Sequence, residues 1–295
     1  MTRTRRTRTP IVSASTNVAA NPHHPPRSST ALQRLYDRRY FLGDCEGFRD
    51  FERSRGKKPS KRLTKCIALT RAQAGENWID VGCGRGEIAL NLASVGATVA
   101  ALDLSRSALE LLRDAGEQWP ASGTLRGGVF ALRARGEAMP LPSGWAHGIV
   151  LSDIVEHMFP DELGLMLTEC FRVLQSGGRV VAHTQPNRTL VAVTVPIASR
   201  LSRFWGVKLP RDLRDEMTRG ASAEYHPNEQ TARGLERAFR RAGFAIEELW
   251  LEGSYPIHRI FGESRLKQLL LPAFRSSEVL KRLFASQIFC VARKT

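Results

Sequence analysis

The sequence contains no pair of cysteines at disulfide or metal-binding spacing. Its five cysteines are scattered and include no CxxC pair: Cys45, Cys66, Cys83, Cys170 and Cys290. An odd and scattered set argues against a disulfide framework and against a structural zinc site. This usage is typical of a reducing compartment, so we expect a cytoplasmic protein.

The sequence also lacks an apolar run long enough to cross a bilayer. The longest runs, such as residues 190–199, are short and interrupted, whereas a spanning helix needs about 20 apolar residues. The basic N-terminal stretch is followed by no apolar core, so we expect no secretory signal. With 42% hydrophobic and 25% charged residues, the composition is that of a soluble globular protein.

Acidic residues are absent from the first 36 positions. These positions hold six of the arginines behind the net charge of +15: Arg3, Arg5, Arg6, Arg8, Arg27 and Arg34. Residues 1–30 show no hydrophobic periodicity and are predicted to form a disordered basic arm. The alternative is an organellar transit peptide, which this stretch also resembles. The domain predicted to follow the arm covers residues 31–295, and the chain after residue 36 still carries +9. A basic balance favours nucleic acid or membrane headgroups as partners, with a solvated basic surface as the alternative.

Strands alternate with helices from residue 78 onward. Short apolar runs predict strands at residues 78–81, 98–102, 129–133, 148–151, 179–183, 244–251 and 287–292. Helical spacing predicts helices at residues 87–94, 106–116, 160–174 and 229–242. The alternation predicts an α/β fold with a doubly wound sheet. Two stretches, at about residues 187–226 and 253–285, interrupt it and are predicted to be inserts on the acceptor side of the site.

A glycine-rich turn follows the first predicted strand. Asp80 precedes glycines at positions 82, 84 and 86, and a helix is predicted from Glu87. The glycines permit a tight turn and close approach of a ligand to the backbone, and the helix presents free N–H groups. A dinucleotide site would place glycine at position 87, where Glu87 would repel a pyrophosphate. The electrostatics therefore favour a cationic ligand.

An aspartate, Asp103, ends the second predicted strand, about 20 residues after the glycine turn. An acidic side chain at this place can accept hydrogen bonds from both hydroxyls of a ribose. The combination of strand, glycine turn, helix and strand-end acid is much more specific than a lone glycine motif. It predicts a site for an adenosyl ligand.

With these motifs the chain resembles the class I methyltransferases that use S-adenosylmethionine (SAM), over roughly residues 60–185. The resemblance includes the glycine turn, the ribose-binding strand end, an adenine-flanking segment at 136–142, a fourth-strand motif at 151–157 and a turn at 174–180. It implies a seven-stranded Rossmann-like sheet with an antiparallel last strand and SAM as cofactor. The cofactor-binding residues that it implies are Asp80, Gly82, Cys83, Gly84, Gly86, Asp103, Leu104, Glu137, Ala138 and Ser152.

Two positions depart from the family pattern. Arg135 stands where an acid usually begins the adenine segment, and Ala146-His147 replaces the usual Phe-Asp before the fourth strand. Neither lies in the glycine turn.

The predicted catalytic residue is His157, which follows the fourth strand. Methylation of a hydroxyl requires removal of its proton by a base, and histidine titrates near neutral pH. His147, His183 and His226 are the other candidates, although His183 lies in an apolar strand and His226 precedes a helix. The alternative for His157 is a structural role with Glu156. No metal site is predicted, because acids and histidines do not recur at ligand spacing.

The segment after the fifth strand resembles the ubiquinone-pathway O-methyltransferases and related glycan or lipid methyltransferases. This resemblance rests on residues 185–189 and on the stretch to 226, and it implies an acceptor lid that can contact a membrane. The basic and aromatic residues of this stretch fit an anionic membrane surface, and the alternative is a buried lid helix over the pocket. We therefore predict O-methylation of a small hydrophobic or anionic molecule, such as a quinol precursor, lipid or glycan intermediate. The alternatives are an RNA or protein acceptor, or a SAM-binding protein without turnover.

Overall fold

The computed structural model describes residues 36–119, 125–198, 200, 226–254 and 265–295. The predicted basic arm and residues 201–225 and 255–264 of the two predicted inserts lie outside the described residues. Among the helices that the structure describes, none combines the length and the apolar character of a membrane span.

Seven described strands form one sheet. They are β1 (Asn77–Val81), β2 (Thr98–Asp103), β3 (Val129–Arg133), β4 (Ala146–Ser152), β5 (Leu174–Thr184), β6 (Phe244–Glu252) and β7 (Gln287–Lys294). Their order is β3-β2-β1-β4-β5-β7-β6. Strand β7 pairs antiparallel with both β5 and β6, while the pairs among β1 to β5 are parallel. The predicted doubly wound sheet with an antiparallel last strand is confirmed.

Eight described α-helices flank this sheet. They are α1 (Phe48–Ser54), α2 (Lys61–Thr70), α3 (Glu87–Ser94), α4 (Arg106–Glu117), α5 (Pro160–Val173), α6 (Ala232–Arg241), α7 (Arg265–Ser276) and α8 (Glu278–Phe284). Helices α3, α4, α5 and α6 match the predictions to within a few residues. The sequence analysis did not predict α2, which begins where Ser60 accepts a hydrogen bond from the N–H of Leu63.

The hydrophobic core lies on both faces of the sheet. Successive side chains of a strand point to opposite faces, and β1 follows this rule. Trp78 packs on the face covered by α2, α3 and α4, whereas Ile79 packs on the face covered by α5 and α6.

The site is positioned by the sheet topology. Strand β1 lies between β2 and β4, and the direction of winding reverses between β1 and β4. A crevice forms at the carboxyl ends of strands where the order reverses, and ligands of doubly wound sheets bind there. The glycine turn after β1, Asp103 at the end of β2 and Ser152 at the end of β4 all lie at this edge.

Candidate cofactor and acceptor site

A cavity of about 730 Å³ opens at this edge of the sheet. Its walls include the glycine turn, the ends of β2 and β4, and the turn that carries His157. A segment before the first strand closes the remaining side. We call residues 36–56 the cover segment, because Tyr36, Tyr40, Phe41 and Glu46 line the cavity from there. None of these cover-segment residues was predicted from the sequence as a site residue.

The glycine turn adopts a backbone that favours glycine at all three positions. Gly82, Gly84 and Gly86 have φ angles of 70°, 51° and 83°, in the left-handed region. A Cβ on Gly86 would lie 2.0 Å from a methyl carbon of Leu112. Gly82 and Gly84 line the cavity, whereas Gly86 lies outside the lining and allows α3 to pack against α4. A cofactor contact of Gly86 stays a prediction.

The two predicted aspartates hold the turn through backbone N–H groups. Asp80 is 2% exposed, and its carboxylate accepts a hydrogen bond from the N–H of Ala89 in α3 at 3.1 Å. Burial raises the pKa of Asp80 to about 7. Asp103 accepts from the N–H groups of Gly84 at 2.9 Å and Ser105 at 2.8 Å. Burial also raises the pKa of Asp103.

Glu87 does not present an isolated charge, contrary to the argument made from the sequence. Its carboxylate forms a buried ion pair with Arg85 at 3.2 Å. The Arg85 guanidinium also donates to the main-chain oxygens of Phe41 at 3.0 Å and Glu46 at 2.7 Å. Glu87 is therefore neutralised locally, and its repulsion of a pyrophosphate is weaker than the sequence indicated.

The cavity is nevertheless acidic in a basic protein. Among the described residues, eight carboxylates and two guanidiniums line it: Asp44, Glu46, Asp80, Glu87, Asp103, Glu137, Asp153, Glu156, Arg62 and Arg85. The whole chain carries +15. Clefts lined by charges of one sign attract ligands of the other sign. The cavity therefore suits SAM, whose sulfonium and ammonium groups are positive.

Of the two residues predicted to lie near the adenine, Glu137 lines the cavity and Ala138 does not. Glu137 lines the cavity and forms an ion pair with Arg135. The guanidinium of Arg135 is thus paired with the carboxylate of Glu137. Ala138 lies outside the lining, and its N–H donates to the oxygen of Arg135 at 3.2 Å. The remaining predicted contacts line the cavity: Cys83, Leu104 and Ser152.

Two of the four candidate histidines line the cavity and two do not. His157 and His226 line the cavity, and their ring centroids are 4.8 Å apart. His147 is outside the lining, at the start of β4, where its Nδ1 accepts the N–H of Asn77 at 3.1 Å. His183 is fully buried with its Nδ1 2.8 Å from the carboxylate of Asp153. The catalytic role of His157 stays a prediction.

Asp153 joins β4 to α2 through a buried ion pair. Its carboxylate lies 2.8 Å from the Arg62 guanidinium, which holds the pKa of Asp153 well below its usual range despite burial. Arg62 also forms an ion pair with Glu46 of the cover segment. Sequence reasoning missed this network, because Arg62 belongs to the unpredicted helix α2.

Glu156 lies beside His157 and His226, and the possible ligand atoms of the three are within 4.8 Å of one another. Burial, together with the charge of Asp153, raises the pKa of Glu156 to about 8. The hydroxyl of Thr184 donates to Glu156 at 2.7 Å. These three side chains could hold a metal ion, and the absence of a metal site stays a prediction.

The sheet order, the glycine turn and the acidic cavity define a nucleoside-binding fold of the class I methyltransferase type. The family described as "Methyltransferase domain" matches residues 79–182, which hold the turn, Asp103 and His157. Residues 79–182 form a methyltransferase domain of the class I SAM-dependent type, which implies SAM as the cofactor.

Two curated relatives and one solved structure are similar to this chain. The chain is 28% identical to the demethylmenaquinone methyltransferase of Lactococcus lactis over 199 residues, 65% of this chain and 75% of the relative. It is 28% identical to the ubiquinone biosynthesis O-methyltransferase of Thiobacillus denitrificans, with 65% and 75% covered. The cyclase SpnF superposes with a TM-score of 0.57 at 18% identity, over 92% of this chain and 98% of that chain. This last likeness concerns the fold alone.

Proposed function

We propose that the protein O-methylates a neutral small molecule with a phenolic or quinol-type hydroxyl, and that His157 is the general base. The observation that carries this proposal is the position of His157 in the same acidic cavity as the glycine turn and Asp103. The names of both curated relatives support an acceptor with a quinone-type ring, and the name of the ubiquinone biosynthesis O-methyltransferase also supports transfer to oxygen.

The charge of the cavity favours a neutral acceptor over the anionic acceptor included in the sequence prediction. Of the two guanidiniums in the lining, Arg85 is paired with Glu87, and Arg62 is paired with Asp153 and Glu46. Each guanidinium would have to share its charge with an acceptor carboxylate. For Arg85 this would disturb a buried ion pair, and breaking a buried pair costs several kcal/mol. The same acidic lining gives little support to an RNA acceptor.

Different residues of the cavity would bind the cofactor and remove the acceptor proton. SAM supplies a methyl group on a positively charged sulfur, and the transfer needs alignment and exclusion of water. The glycine turn and Asp103 would hold the nucleoside, and the acidic lining would favour its positive charge. The cover segment, which lines one side of the cavity, would help to exclude water. His157 would take the proton that the acceptor hydroxyl loses.

The test is the formation of S-adenosylhomocysteine with matched phenolic probes. We expect 4-methylcatechol to be methylated with kcat/KM at least about tenfold higher than 3,4-dihydroxybenzoate, because only the second carries a carboxylate into the acidic cavity. His157→Gln should lower kcat by about 10²–10⁴-fold. His147→Gln is the matched control, since His147 lies outside the cavity lining.

A preference for the carboxylate probe would contradict the neutral-acceptor proposal. Full activity of His157→Gln would contradict the assignment of the base. Tight SAM binding without turnover on any hydroxyl probe would favour a protein that binds SAM without catalysis.

A further inference from the structure

His226 is held beside the turn that carries His157 by a main-chain hydrogen bond. The N–H of Asn228 donates to the main-chain oxygen of Glu156 at 3.2 Å. The ring of His226 meets the ring of His157 with centroids 4.8 Å apart, and both residues line the cavity. His226 does not cap the helix that follows, because the hydroxyl of Thr231 caps α6. The position of His226 therefore calls for an explanation in the cavity.

The two nitrogens of the His226 ring have different surroundings. Nδ1 is buried and has no hydrogen-bond partner within the described part of the chain. The residue lines the cavity, so Nε2 is the nitrogen that a bound molecule can reach. Unpaired buried N–H groups are rarer in proteins than unpaired buried acceptors, which indicates that they cost more. The neutral ring is therefore expected to carry its proton on Nε2 and to present that N–H to the cavity.

His226 stays neutral near pH 7. Burial, together with the charge of His157, lowers the pKa of His226 to about 3. An imidazolium would also place a buried N–H at Nδ1 without an acceptor. A ring that takes no proton is not the base of the reaction. It can instead serve as a hydrogen-bond donor that adds no positive charge beside the sulfonium of SAM.

The two histidines are close enough to contact one oxygen. A ring nitrogen of His226 and one of His157 lie within 4.8 Å of each other, and two hydrogen bonds of about 2.8 Å each reach farther than this. Three other titratable groups face the pair. They are Glu156 within 4.8 Å, Asp153 in the lining, and Tyr36, whose phenol oxygen lies 2.9 Å from Nδ1 of His157. The tests below leave these three unchanged.

We propose that His226 is a further catalytic residue, which donates its Nε2–H to the acceptor oxygen while that oxygen loses its proton. This inference rests on the proposed methylation of a phenolic hydroxyl with His157 as base. The oxygen gains negative charge as its O–H bond breaks, and a donor already in place stabilises that charge. The proton goes to the base, and a lone pair of the oxygen attacks the methyl carbon. The bond from that carbon to sulfur breaks, which leaves S-adenosylhomocysteine as a neutral sulfide.

The first test is the tautomer of His226, measured by long-range proton–nitrogen NMR in the full chain saturated with S-adenosylhomocysteine. The signals are assigned with His226→Gln. We expect a neutral ring with its proton on Nε2 throughout the range from about pH 6 to about pH 9. A proton on Nδ1, or a titration midpoint in this range, would overturn the proposal.

The second test is the pKa of a bound phenol, read from the absorbance of 4-nitrophenol in the complex with S-adenosylhomocysteine. His226→Phe keeps a ring in place and removes the donor, so we expect the pKa of the bound probe to rise by about one unit. His226→Gln retains an N–H donor and should reverse part of this rise. His147→Phe is the matched control, because His147 lies outside the cavity lining. An unchanged probe pKa in His226→Phe, or an equal rise in His147→Phe, would refute the donor role.

Neither test requires methyl transfer, so the two proposals can fail separately. A wild-type chain that binds no 4-nitrophenol would contradict the phenolic acceptor, while the NMR result would still decide the tautomer of His226. Where 4-methylcatechol is turned over, His226→Phe should lower kcat about a hundredfold with the KM for SAM unchanged and the acid limb of the pH profile retained. Loss of that limb, or a raised KM for SAM with an unchanged kcat, would contradict a neutral donor.

Discussion

The ion pair between Arg85 and Glu87 should be the most costly single contact to break in the cofactor turn. Both side chains are buried, with 2% and 9% of their surface exposed. Burial raises the pKa of Glu87 even with Arg85 in place. Arg85→Met would leave this carboxylate charged, buried and without its partner. Breaking a buried pair in this way costs about 3–5 kcal/mol.

The loss should depend on pH. A buried acid whose pKa is raised in the folded state destabilises the fold at pH values above its unfolded-state pKa, and the penalty is complete above the raised pKa. It is relieved as the pH falls towards the unfolded-state pKa. In Arg85→Met the pKa of Glu87 rises further, because the guanidinium that lowered it is gone. The stability deficit should therefore be largest at about pH 8 and smaller at about pH 5.

The assay is urea unfolding followed by tryptophan fluorescence at both pH values. Arg85→Met/Glu87→Gln should recover a substantial part of the loss and remove its pH dependence, because the charge that lacked a partner is gone. Arg106→Met is the matched control, since Arg106 pairs with Glu110 at 2.8 Å on the surface. Its cost should stay within about 0.5 kcal/mol. Equal deficits at both pH values with no recovery in the double variant would refute this reasoning.

Three further predictions concern the cofactor and the histidine cluster. Asp103→Ala should weaken SAM binding by ~1–3 kcal/mol in calorimetry, because charge-assisted hydrogen bonds are lost, and full affinity would remove the ribose assignment. Gly84→Val should abolish SAM binding. The φ of 51° at Gly84 disfavours valine. The added Cβ would lie 3.6 Å from the ring of Phe41, which also lines the cavity, so a branched side chain would crowd the cavity wall. Turnover should survive treatment with EDTA. A loss that Mg²⁺ restores would instead assign a cation to Glu156, His157 and His226.

The sequence predicts best the features that depend on local spacing. Strands β1 to β7 follow from short apolar runs, because buried strands are apolar on both faces. The glycine turn and Asp103 could also be predicted, since each is recognised from a few neighbouring residues at the end of a strand. Helix α2 was missed because its basic residues, Lys61, Arg62 and Lys65, obscure the apolar face that carries Cys66.

Contacts between distant residues could not be predicted from one sequence. Tyr36 and His157 are 121 positions apart, and His183 and Asp153 are 30 apart. No periodicity connects such pairs, because they meet only when the sheet order and the cover segment bring them together. The interpretation of Glu87 as an isolated charge failed for a different reason. The backbone of the turn directs the Arg85 side chain onto Glu87, and spacing alone does not give this direction.

The net charge was a poor guide to the ligand. A chain of +15 favours anionic partners on average, whereas the cavity itself is lined mostly by carboxylates. Charge counted over a sequence describes the surface field as a whole. The sign of the charge in the cavity depends instead on which residues the fold brings to the edge of the sheet.

Calorimetric titration of the purified protein with SAM, S-adenosylhomocysteine and NAD tests the central claim most directly. The account predicts binding of SAM and S-adenosylhomocysteine, because the glycine turn and Asp103 receive their common nucleoside and the acidic cavity receives their positive charge. It predicts no binding of NAD, whose pyrophosphate would face the carboxylates of the cavity. Binding of NAD without SAM would contradict the account.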